Sequence, residues 1–241
     1  MSGAVGAIAS AAWVLPIALI QIPAAAADPC PDVEVVFARG TTEPPGVGGT
    51  GQAFVDSLRS QLGGRSVGVY AVDYPASRDF DTSTPAGAGD ASSHIQSMAA
   101  NCPNTRLVLG GYSQGAGVID LSTTAMPPQI AGHVAAAALF GAPRSAFADT
   151  LSPGPLPTIG PLYAAKTIDL CVPNDPICSN GWDMRAHVAY VETGMVNHAA
   201  TFAASRLWWG ERSRCATASC TASRAADEQA VRKTPERLAN F

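Results

Sequence analysis

Ser113 lies at the centre of a Gly-x-Ser-x-Gly pattern formed by Gly111, Tyr112, Ser113, Gln114 and Gly115. An apolar run precedes the pattern and helical spacing follows it, a setting that exposes a serine hydroxyl at the carboxyl edge of a sheet. Small residues are needed on both sides because so tight a turn leaves no room for a Cβ atom. The pattern predicts a nucleophilic serine, and the alternative is an ordinary glycine-rich turn that leads into a helix.

A serine hydroxyl is a weak nucleophile at neutral pH, so it needs an imidazole to accept its proton and a carboxylate to orient that imidazole. In a sheet of this kind the order along the chain is serine, then the acid, then histidine. Three histidines follow Ser113. His133 enters a predicted strand at its amino end and His198 is expected on the surface of the last helix, so His187 is the predicted base.

Three aspartates upstream of the predicted base are candidates for the acid. Asp169 lies inside a predicted strand, and Asp183 lies in a Gly-Trp loop that nothing tethers. Asp175 lies between Cys171 and Cys178, whose disulfide would fix the direction of the carboxylate. We therefore predict Asp175 as the acid, the alternative being a structural disulfide with an exposed aspartate at its tip.

The oxyanion formed in acyl transfer needs N–H donors, one from the residue after the nucleophile and one from a loop after an early strand. Gln114 directly follows the serine, and Gly40 and Thr41 follow the first predicted strand. The predicted donors are therefore Thr41 and Gln114, with the threonine hydroxyl as a further donor. The alternative for Thr41 and Thr42 is ordinary turn capping.

Short apolar runs rich in β-branched residues alternate along the chain with stretches of helical spacing. Strands are predicted at 33–37, 67–72, 106–109, 134–140 and 167–170. Helices are predicted at 53–62, at 90–100, from 114 onward and at 196–208, with irregular loops at 76–89 and 152–161. The alternation predicts an α/β fold in which helices cover both faces of a central parallel sheet. Ligands of such a sheet bind at the carboxyl ends of its strands, where every candidate above lies.

Composition and charge indicate one exported globular domain at 28–210. The first 27 residues carry no charge and end in four alanines, which predicts a secretory signal peptide at 1–27. No Lys or Arg precedes that apolar run, and the alternative is an uncleaved membrane anchor, although Pro16 and Pro23 interrupt it. The net charge of −4 argues against binding to nucleic acid. The polar tail at 211–241 is expected to be a flexible extension.

The chain contains six cysteines, an even number that favours disulfides over free thiols on an exported protein. Six cysteines allow fifteen pairings, and their placement suggests Cys30 with Cys102, Cys171 with Cys178, and Cys215 with Cys220. Neither a Cys-x-x-Cys nor a His-Glu-x-x-His pattern occurs, so we expect no metal site and no cofactor.

An apolar stretch that follows the fourth predicted strand could contact an acyl chain beside the predicted site. Its large residues are Leu151, Leu156, Ile159, Leu162 and Tyr163. The alternative is that these side chains only cover the sheet.

Four motifs follow one another along the chain. They are Phe-Ala-Arg-Gly-Thr-Thr-Glu at 37–43, Gly-Gly-Tyr-Ser-Gln-Gly at 110–115, Asp-Pro-Ile-Cys at 175–178, and Tyr190 three residues after the predicted base. Together they resemble the cutinase family, and most of all the exported cutinase-like proteins of actinobacteria. The resemblance runs from about residue 30 to residue 207, so the tail falls outside it.

The resemblance implies a compact three-layer α/β-hydrolase sandwich, with a five-stranded parallel sheet and no large lid. The site residues that it implies are Ser113 as nucleophile, His187 as base, Asp175 as acid, and Thr41 and Gln114 as oxyanion donors. It also implies the first two of the three disulfides named above. Fungal members of the family carry serine at the position of Thr41 and Asn-x-Gly-Asp where this chain has Pro-Asn-Asp at 173–175.

The implied function is that of a secreted serine esterase that cleaves short- to medium-chain acyl esters. Its partner would be an ester or lipid substrate, it would act as a monomer, and association with the cell wall stays open. The alternatives on the same triad are a lipase or phospholipase, a polysaccharide acetyl esterase, a thioesterase and, with less support, a peptidase. Outside the enzymes the alternative is a catalytically silent lipid- or wall-binding module, against which a complete Ser-Asp-His set argues.

Overall fold

The structure is a computed structural model that describes residues 30–152, 154 and 156–214. The predicted signal peptide at 1–27, the predicted Cys215–Cys220 pair and positions 215–241 of the predicted tail lie outside these residues. The first four residues of that tail, 211–214, instead continue the last helix. Among the residues that are described, no helix combines the length and the apolar character needed to cross a membrane.

Within the described part of the chain, five parallel strands form one sheet in the order β2, β1, β3, β4, β5. Their bounds are β1 Val33–Ala38, β2 Val67–Ala71, β3 Arg106–Tyr112, β4 Val134–Phe140 and β5 Thr167–Leu170. The three central strands are almost wholly buried, whereas the edge strands β2 and β5 are partly exposed. The predicted α/β-hydrolase-type sandwich around a five-stranded parallel sheet is confirmed.

Helices cover both faces of this sheet. The α-helices of the described residues are α1 Gly48–Gln61, α2 Phe80–Asn101, α3 Gln114–Thr124, α4 Ala146–Asp149, α5 Met184–His187 and α6 Met195–Arg214. Helices α1 and α6 pack on one face, where the rings of Phe37, Phe54 and Phe140 meet. Helices α2 and α3 pack on the other face. The two short helices α4 and α5 were not predicted, because four residues are too few to show a helical period.

The predicted loop at 76–89 is wrong from Phe80 onward, where α2 begins ten residues earlier than predicted. The segment has low helix propensity because it contains Pro85 and two glycines. Tertiary packing overrides that propensity: a Cβ atom on Gly87 would lie 2.9 Å from both Tyr74 and Val118. The small residues of this segment therefore allow α2 to pack closely against its neighbours.

The strand that leads to Ser113 is longer than predicted and continues through the glycines to Tyr112. Gly110 pairs with Phe37 on β1 and with Ala138 on β4, so strand pairing on both sides compensates for the weak propensity of glycine. A Cβ atom on Gly110 would lie 2.4 Å from the ring of Phe37. The glycine thus makes room for a core aromatic ring directly beneath the candidate site.

Two disulfides are present among the described cysteines. One joins Cys30 to Cys102 across 72 residues, and the other joins Cys171 to Cys178 across seven. The first links the segment before β1 to the end of α2. The second closes the loop between β5 and α5, which is the loop that carries Asp175.

Candidate active site

Ser113 occupies a strained turn between β3 and α3. Its backbone has a φ of 55° and a ψ of −121°, a region that residues other than glycine rarely adopt. A Cβ atom on Gly111 would lie 2.3 Å from the Gly115 carbonyl oxygen, and one on Gly115 would lie 2.0 Å from that of Ala38. Glycine is therefore required on both sides of the serine, for the steric reason that the sequence pattern indicated.

His187 lies at the end of α5 and is buried, with its Nε2 atom 2.9 Å from the Ser113 Oγ atom. Tyr112 holds the histidine in two ways. Its hydroxyl donates a hydrogen bond of 2.7 Å to the His187 carbonyl oxygen, and the two rings stack with centroids 5.1 Å apart. Gly141 allows the imidazole to approach the carboxyl end of β4, because a Cβ atom there would lie 3.0 Å from His187 Cε1.

Asp175 is fully buried on the far side of the imidazole, with Oδ2 2.8 Å from His187 Nδ1. The Tyr190 hydroxyl also donates to Oδ2, at 2.6 Å, and the Ile177 N–H donates to Oδ1, at 2.8 Å. Burial by itself would raise the pKa of Asp175, but the hydrogen bonds from His187, Tyr190 and Ile177 outweigh it and hold the pKa below its ordinary value. The carboxylate is thus ionised and not an exposed group at the tip of a loop.

These protonation states fix the direction of the hydrogen bonds. An ionised carboxylate only accepts, so Nδ1 of His187 carries the proton that faces Asp175. In the neutral imidazole Nε2 is then the acceptor, and the Ser113 hydroxyl donates to it. The three side chains therefore form one continuous row that can move a proton off the serine oxygen.

The other candidates from the sequence lie elsewhere. His133 immediately precedes β4 at its amino end, and His198 is exposed on α6. Asp169 lies on β5 in an ion pair with Arg144, and the side chain of Asp183 caps α5 by accepting from a backbone N–H. None of these four residues is a neighbour of Ser113 in the row described above.

The loop after β1 lies beside the start of α3. Gln114 is the first residue of α3, so its N–H has no carbonyl partner within the helix. The Thr41 hydroxyl is 3.3 Å from the Gln114 side-chain oxygen and donates to it. Glu43 holds the loop in place because its carboxylate accepts from the backbone N–H groups of Gly40, at 2.6 Å, and Gly49, at 2.8 Å.

The side chain of Gln114 joins three segments around the site. Its carbonyl oxygen accepts from Thr41, while its amide nitrogen donates to the Ser77 carbonyl, at 3.2 Å, and to the Thr84 hydroxyl, at 3.3 Å. Only 2% of this residue is exposed. The sequence pattern identified the backbone of Gln114 but not its side chain, since the contact with α2 depends on a helix that was predicted to start later.

A cavity of about 650 Å³ opens above Ser113. Apolar side chains make up much of its described lining, among them Phe80, Pro143, Leu151, Leu156, Ile177, Met184 and Val188. Leu151 and Leu156 were predicted to contact an acyl chain and do line the cavity. Tyr163 instead belongs to the core beneath α3, and Ile159 packs against that core, while Leu162 is largely exposed.

A buried ion pair lies behind the site. Asp120 on α3 is fully buried, and the Arg144 guanidinium lies 2.7 Å from it and 3.0 Å from Asp169. Burial outweighs the attraction of Arg144 and raises the pKa of Asp120 to about 7. The backbone N–H of Arg144 also donates to the Ile177 carbonyl oxygen, at 3.0 Å. Arg144 thus connects α3 to the loop that carries Asp175.

No group of three or more His, Cys, Asp or Glu side chains among the described residues is arranged to hold a metal ion. Tyr112, Tyr190 and Glu43 were not predicted as site residues. All three were part of the motifs that carried the family resemblance, so their spacing was visible in the sequence. The partners of Tyr112 and Tyr190 were not visible, because those contacts join separate segments of the chain. The contacts of Glu43 are local but depend on how the loop after β1 folds back on itself.

Comparison with known proteins identifies the relatives of this chain. Residues 29–207 match the family model described as Cutinase. Carboxylesterase Culp1 of Mycobacterium tuberculosis is 63% identical over 196 residues, which cover 79% of this chain and 90% of that protein. The solved structure of Trichoderma reesei cutinase, in complex with a phosphonate inhibitor, has 38% identity and a TM-score of 0.62, covering 75% of this chain and 78% of the other. The catalytic core of acetyl xylan esterase from Trichoderma reesei has 25% identity and a TM-score of 0.64, covering 74% and 100%.

Proposed function

The chain belongs to the cutinase family, and from that premise we propose that it hydrolyses carboxylic esters through an acyl-enzyme formed on Ser113. The observation that supports the proposal most is the hydrogen-bonded row of Ser113, His187 and Asp175 at the floor of an apolar cavity. A row of this kind activates a hydroxyl that would otherwise be a poor nucleophile.

In the first step Ser113 Oγ attacks the ester carbonyl carbon while His187 Nε2 accepts the hydroxyl proton. The 2.9 Å separation of these atoms is already within hydrogen-bond reach. Asp175 holds the Nδ1–H tautomer and stabilises the imidazolium that forms, without taking the proton itself. Its buried position and lowered pKa keep it ionised for this role.

The negative charge that develops on the carbonyl oxygen would be bound by the N–H groups of Gln114 and Thr41. The amino end of α3 adds a favourable partial positive charge at the same point. The Thr41 hydroxyl has one hydrogen, which it donates to the Gln114 side chain in the structure described above. It would therefore have to rotate away from Gln114 before it could serve as a third donor.

The intermediate collapses when the carbon–oxygen bond to the alcohol breaks, and His187 returns its proton to the departing alkoxide. A water molecule then gives a proton to His187 and attacks the acyl carbon. The second tetrahedral intermediate breaks the bond to Ser113 Oγ, which recovers its hydrogen from the imidazole. The products are the alcohol and the carboxylic acid, and the enzyme returns to its starting state.

The cavity suits a short- to medium-chain acyl group. Its volume lies in the range of small-molecule sites, and its apolar lining would shield an alkyl chain from water. Leu151 and Leu156 lie on one side, and Met184 and Val188 lie on the side of His187. The acyl chain would thus lie between the α4 region and the α5 region.

Replacement of the nucleophile tests the proposal. We expect Ser113→Ala to lower kcat for p-nitrophenyl butyrate by about 10⁶-fold, as loss of the nucleophile does in other serine hydrolases. Ser205→Ala, which removes an exposed hydroxyl on α6, is the matched control and should retain full activity. Undiminished turnover by Ser113→Ala would rule out the assignment.

A panel of p-nitrophenyl acetate, butyrate and palmitate tests the substrate class. The proposal expects the highest kcat/KM for the butyrate. A strong preference for the acetate would point instead to deacetylation, and a preference for the palmitate would point to a lipase. Leu156→Trp, which fills part of the cavity, should lower kcat/KM for the butyrate more than for the acetate.

We propose export for this enzyme because it has two disulfides, which form and persist in oxidising compartments. The monomeric state and any association with the cell wall rest on the sequence alone. Fractionation of a producing culture into medium, wall and cytosol, followed by gel filtration, tests these points. Activity confined to the cytosolic fraction would contradict export.

A further inference from the structure

The hydroxyl of Tyr190 lies at a crowded point behind His187. Tyr190 is fully buried, and its hydroxyl donates a 2.6 Å hydrogen bond to Oδ2 of Asp175. Oδ2 is also the oxygen that faces Nδ1 of His187, at 2.8 Å. One carboxylate oxygen therefore has two donors, while Oδ1 has the Ile177 N–H.

The same hydroxyl contacts both ends of the disulfide loop. The Val172 N–H, next to Cys171, donates to the Tyr190 oxygen at 3.3 Å, and the Cys178 sulfur lies 3.4 Å from it. Tyr190 itself comes three residues after His187. Its hydroxyl thus connects the base, the acid and both ends of the loop that carries the acid.

We propose that Tyr190 is a positioning residue of the esterase site, whose hydroxyl holds Asp175 Oδ2 and limits how strongly the carboxylate binds protonated His187. The proposal rests on the function proposed above. Tyr190 does not itself line the cavity, and its hydroxyl donates to Asp175 and not to Ser113, so it acts through Asp175.

The physical reason is that the Tyr190 hydroxyl and protonated His187 both interact with the negative charge on Asp175 Oδ2. Burial raises the pKa of Tyr190, and the neighbouring Asp175 raises it further, so the phenol stays protonated and can only donate to the carboxylate. A hydrogen bond to Oδ2 draws negative charge from the atom that must stabilise the imidazolium. Without the hydroxyl, Asp175 would hold protonated His187 more tightly, and the free Nε2 needed for attack would appear only at higher pH.

The titratable groups around this carboxylate are few. His187 faces it from α5 and Tyr190 from the turn after α5, while Tyr112 on β3 acts on it through space. Glu43, from the loop after β1, acts on Tyr112. Both tyrosines have raised pKa values, so their phenols stay protonated near neutral pH.

The test is the pH dependence of kcat/KM for p-nitrophenyl butyrate in Tyr190→Phe. We expect the acid limb of the profile to move up by about half to one pH unit. We also expect kcat on the alkaline plateau to fall by about tenfold, since the carboxylate loses one of its anchors. A merely structural tyrosine would lower the amount of folded enzyme without moving the acid limb.

Tyr70→Phe is the matched control. It also removes a hydroxyl that donates to an aspartate carboxylate, but to Asp90 on α2, at 3.0 Å, and Tyr70 does not line the cavity. Its acid limb should coincide with that of the wild type. An unmoved limb in Tyr190→Phe, or an equal shift in Tyr70→Phe, would overturn the proposal.

A second variant covers the case in which Tyr190→Phe does not fold. Site-specific incorporation of a difluorotyrosine at Tyr190 keeps the shape of the ring and makes the phenol a stronger donor. The acid limb should then move to lower pH, and an upward shift or no shift would contradict the proposal. Labelling of Ser113 by a fluorophosphonate separates the two hypotheses. If the wild type is not labelled, the proposed function is wrong. If labelling is normal but the acid limb of the pH profile does not move in the Tyr190 variants, only the role of Tyr190 is wrong.

Discussion

The Nε2 atom of His187 lies 2.9 Å from the Oγ atom of Ser113, although 74 positions separate the two residues in the chain. A strained turn after β3 presents the serine, and a short helix after a disulfide-closed loop presents the histidine. The two groups are therefore paired before any substrate enters. No rearrangement of the backbone is needed to begin proton transfer.

Asp175→Asn should lower kcat by about 10⁴-fold, because an amide can donate to Nδ1 and favour the wrong imidazole tautomer. Steady-state kinetics with p-nitrophenyl butyrate would measure the loss. Asp183→Asn is the matched control, since asparagine caps a helix as well as aspartate does and should keep activity within about threefold. A larger loss for Asp183→Asn than for Asp175→Asn would mean that the acid is misassigned.

The two disulfides should contribute differently, the long one more to stability and the short one more to activity. The chain-entropy relation gives a contribution of about 4.4 kcal/mol for the long bridge and about 2.5 kcal/mol for the short one. Replacing Cys30 and Cys102 by serine should therefore cost more free energy of unfolding. Replacing Cys171 and Cys178 should cost more kcat, because their loop carries Asp175.

Denaturant unfolding and steady-state kinetics on the two double variants would measure these effects. The short bridge does not hold the acid in place if, per folded enzyme, removal of the long bridge lowers kcat more than removal of the short bridge does.

Gly141→Ala should lower catalytic activity more than it lowers the stability of the fold. Gly141 has a φ of +59°, and a Cβ atom there would lie 2.9 Å from the Tyr190 hydroxyl and 3.0 Å from His187 Cε1. We expect a loss of kcat of at least about 100-fold, since small displacements of catalytic groups are costly. Gly89→Ala is the control because its Cβ atom would meet nothing within 4 Å. Full activity in Gly141→Ala would contradict the described packing around the imidazole.

The stability of the protein should fall with rising pH because of Asp120. Its pKa of about 7 in the folded protein exceeds the ordinary value of 3.8, so the folded state favours the protonated form. The stabilisation is complete below about pH 4 and is lost as the pH rises through about 7. The free energy of unfolding, measured with urea at a series of pH values, should no longer show this decline in Asp120→Asn. Asp56→Asn, on the exposed side of α1, should keep it. If the free energy of unfolding depends on pH in the same way in Asp120→Asn and the wild type, the assignment is refuted.

The strands and the turn around Ser113 could be predicted because their signals are local. Strands β4 and β5 are apolar runs between breakers, and their predicted bounds agree with those observed. The Gly-x-Ser-x-Gly pattern requires a particular turn for steric reasons, so the backbone around Ser113 followed from the residues themselves. Chain order then left few choices for the partners of the serine.

The features that could not be predicted depend on distant contacts. The first three turns of α2 contain Pro85 and two glycines, and the close contact of Gly87 with Tyr74 and Val118 cannot be read from a sequence pattern. The hydrogen bond from Tyr190 to Asp175 joins two residues on opposite sides of α5. No periodicity or motif in one sequence shows which oxygen a tyrosine hydroxyl will reach.

The most direct test of the account is the site of covalent labelling by a fluorophosphonate, read by mass spectrometry of the intact protein and of its peptides. The account predicts one adduct per chain, on the peptide that contains Ser113, with loss of esterase activity in proportion to labelling and no adduct in Ser113→Ala. An adduct on another serine, or full labelling of Ser113→Ala, would contradict it.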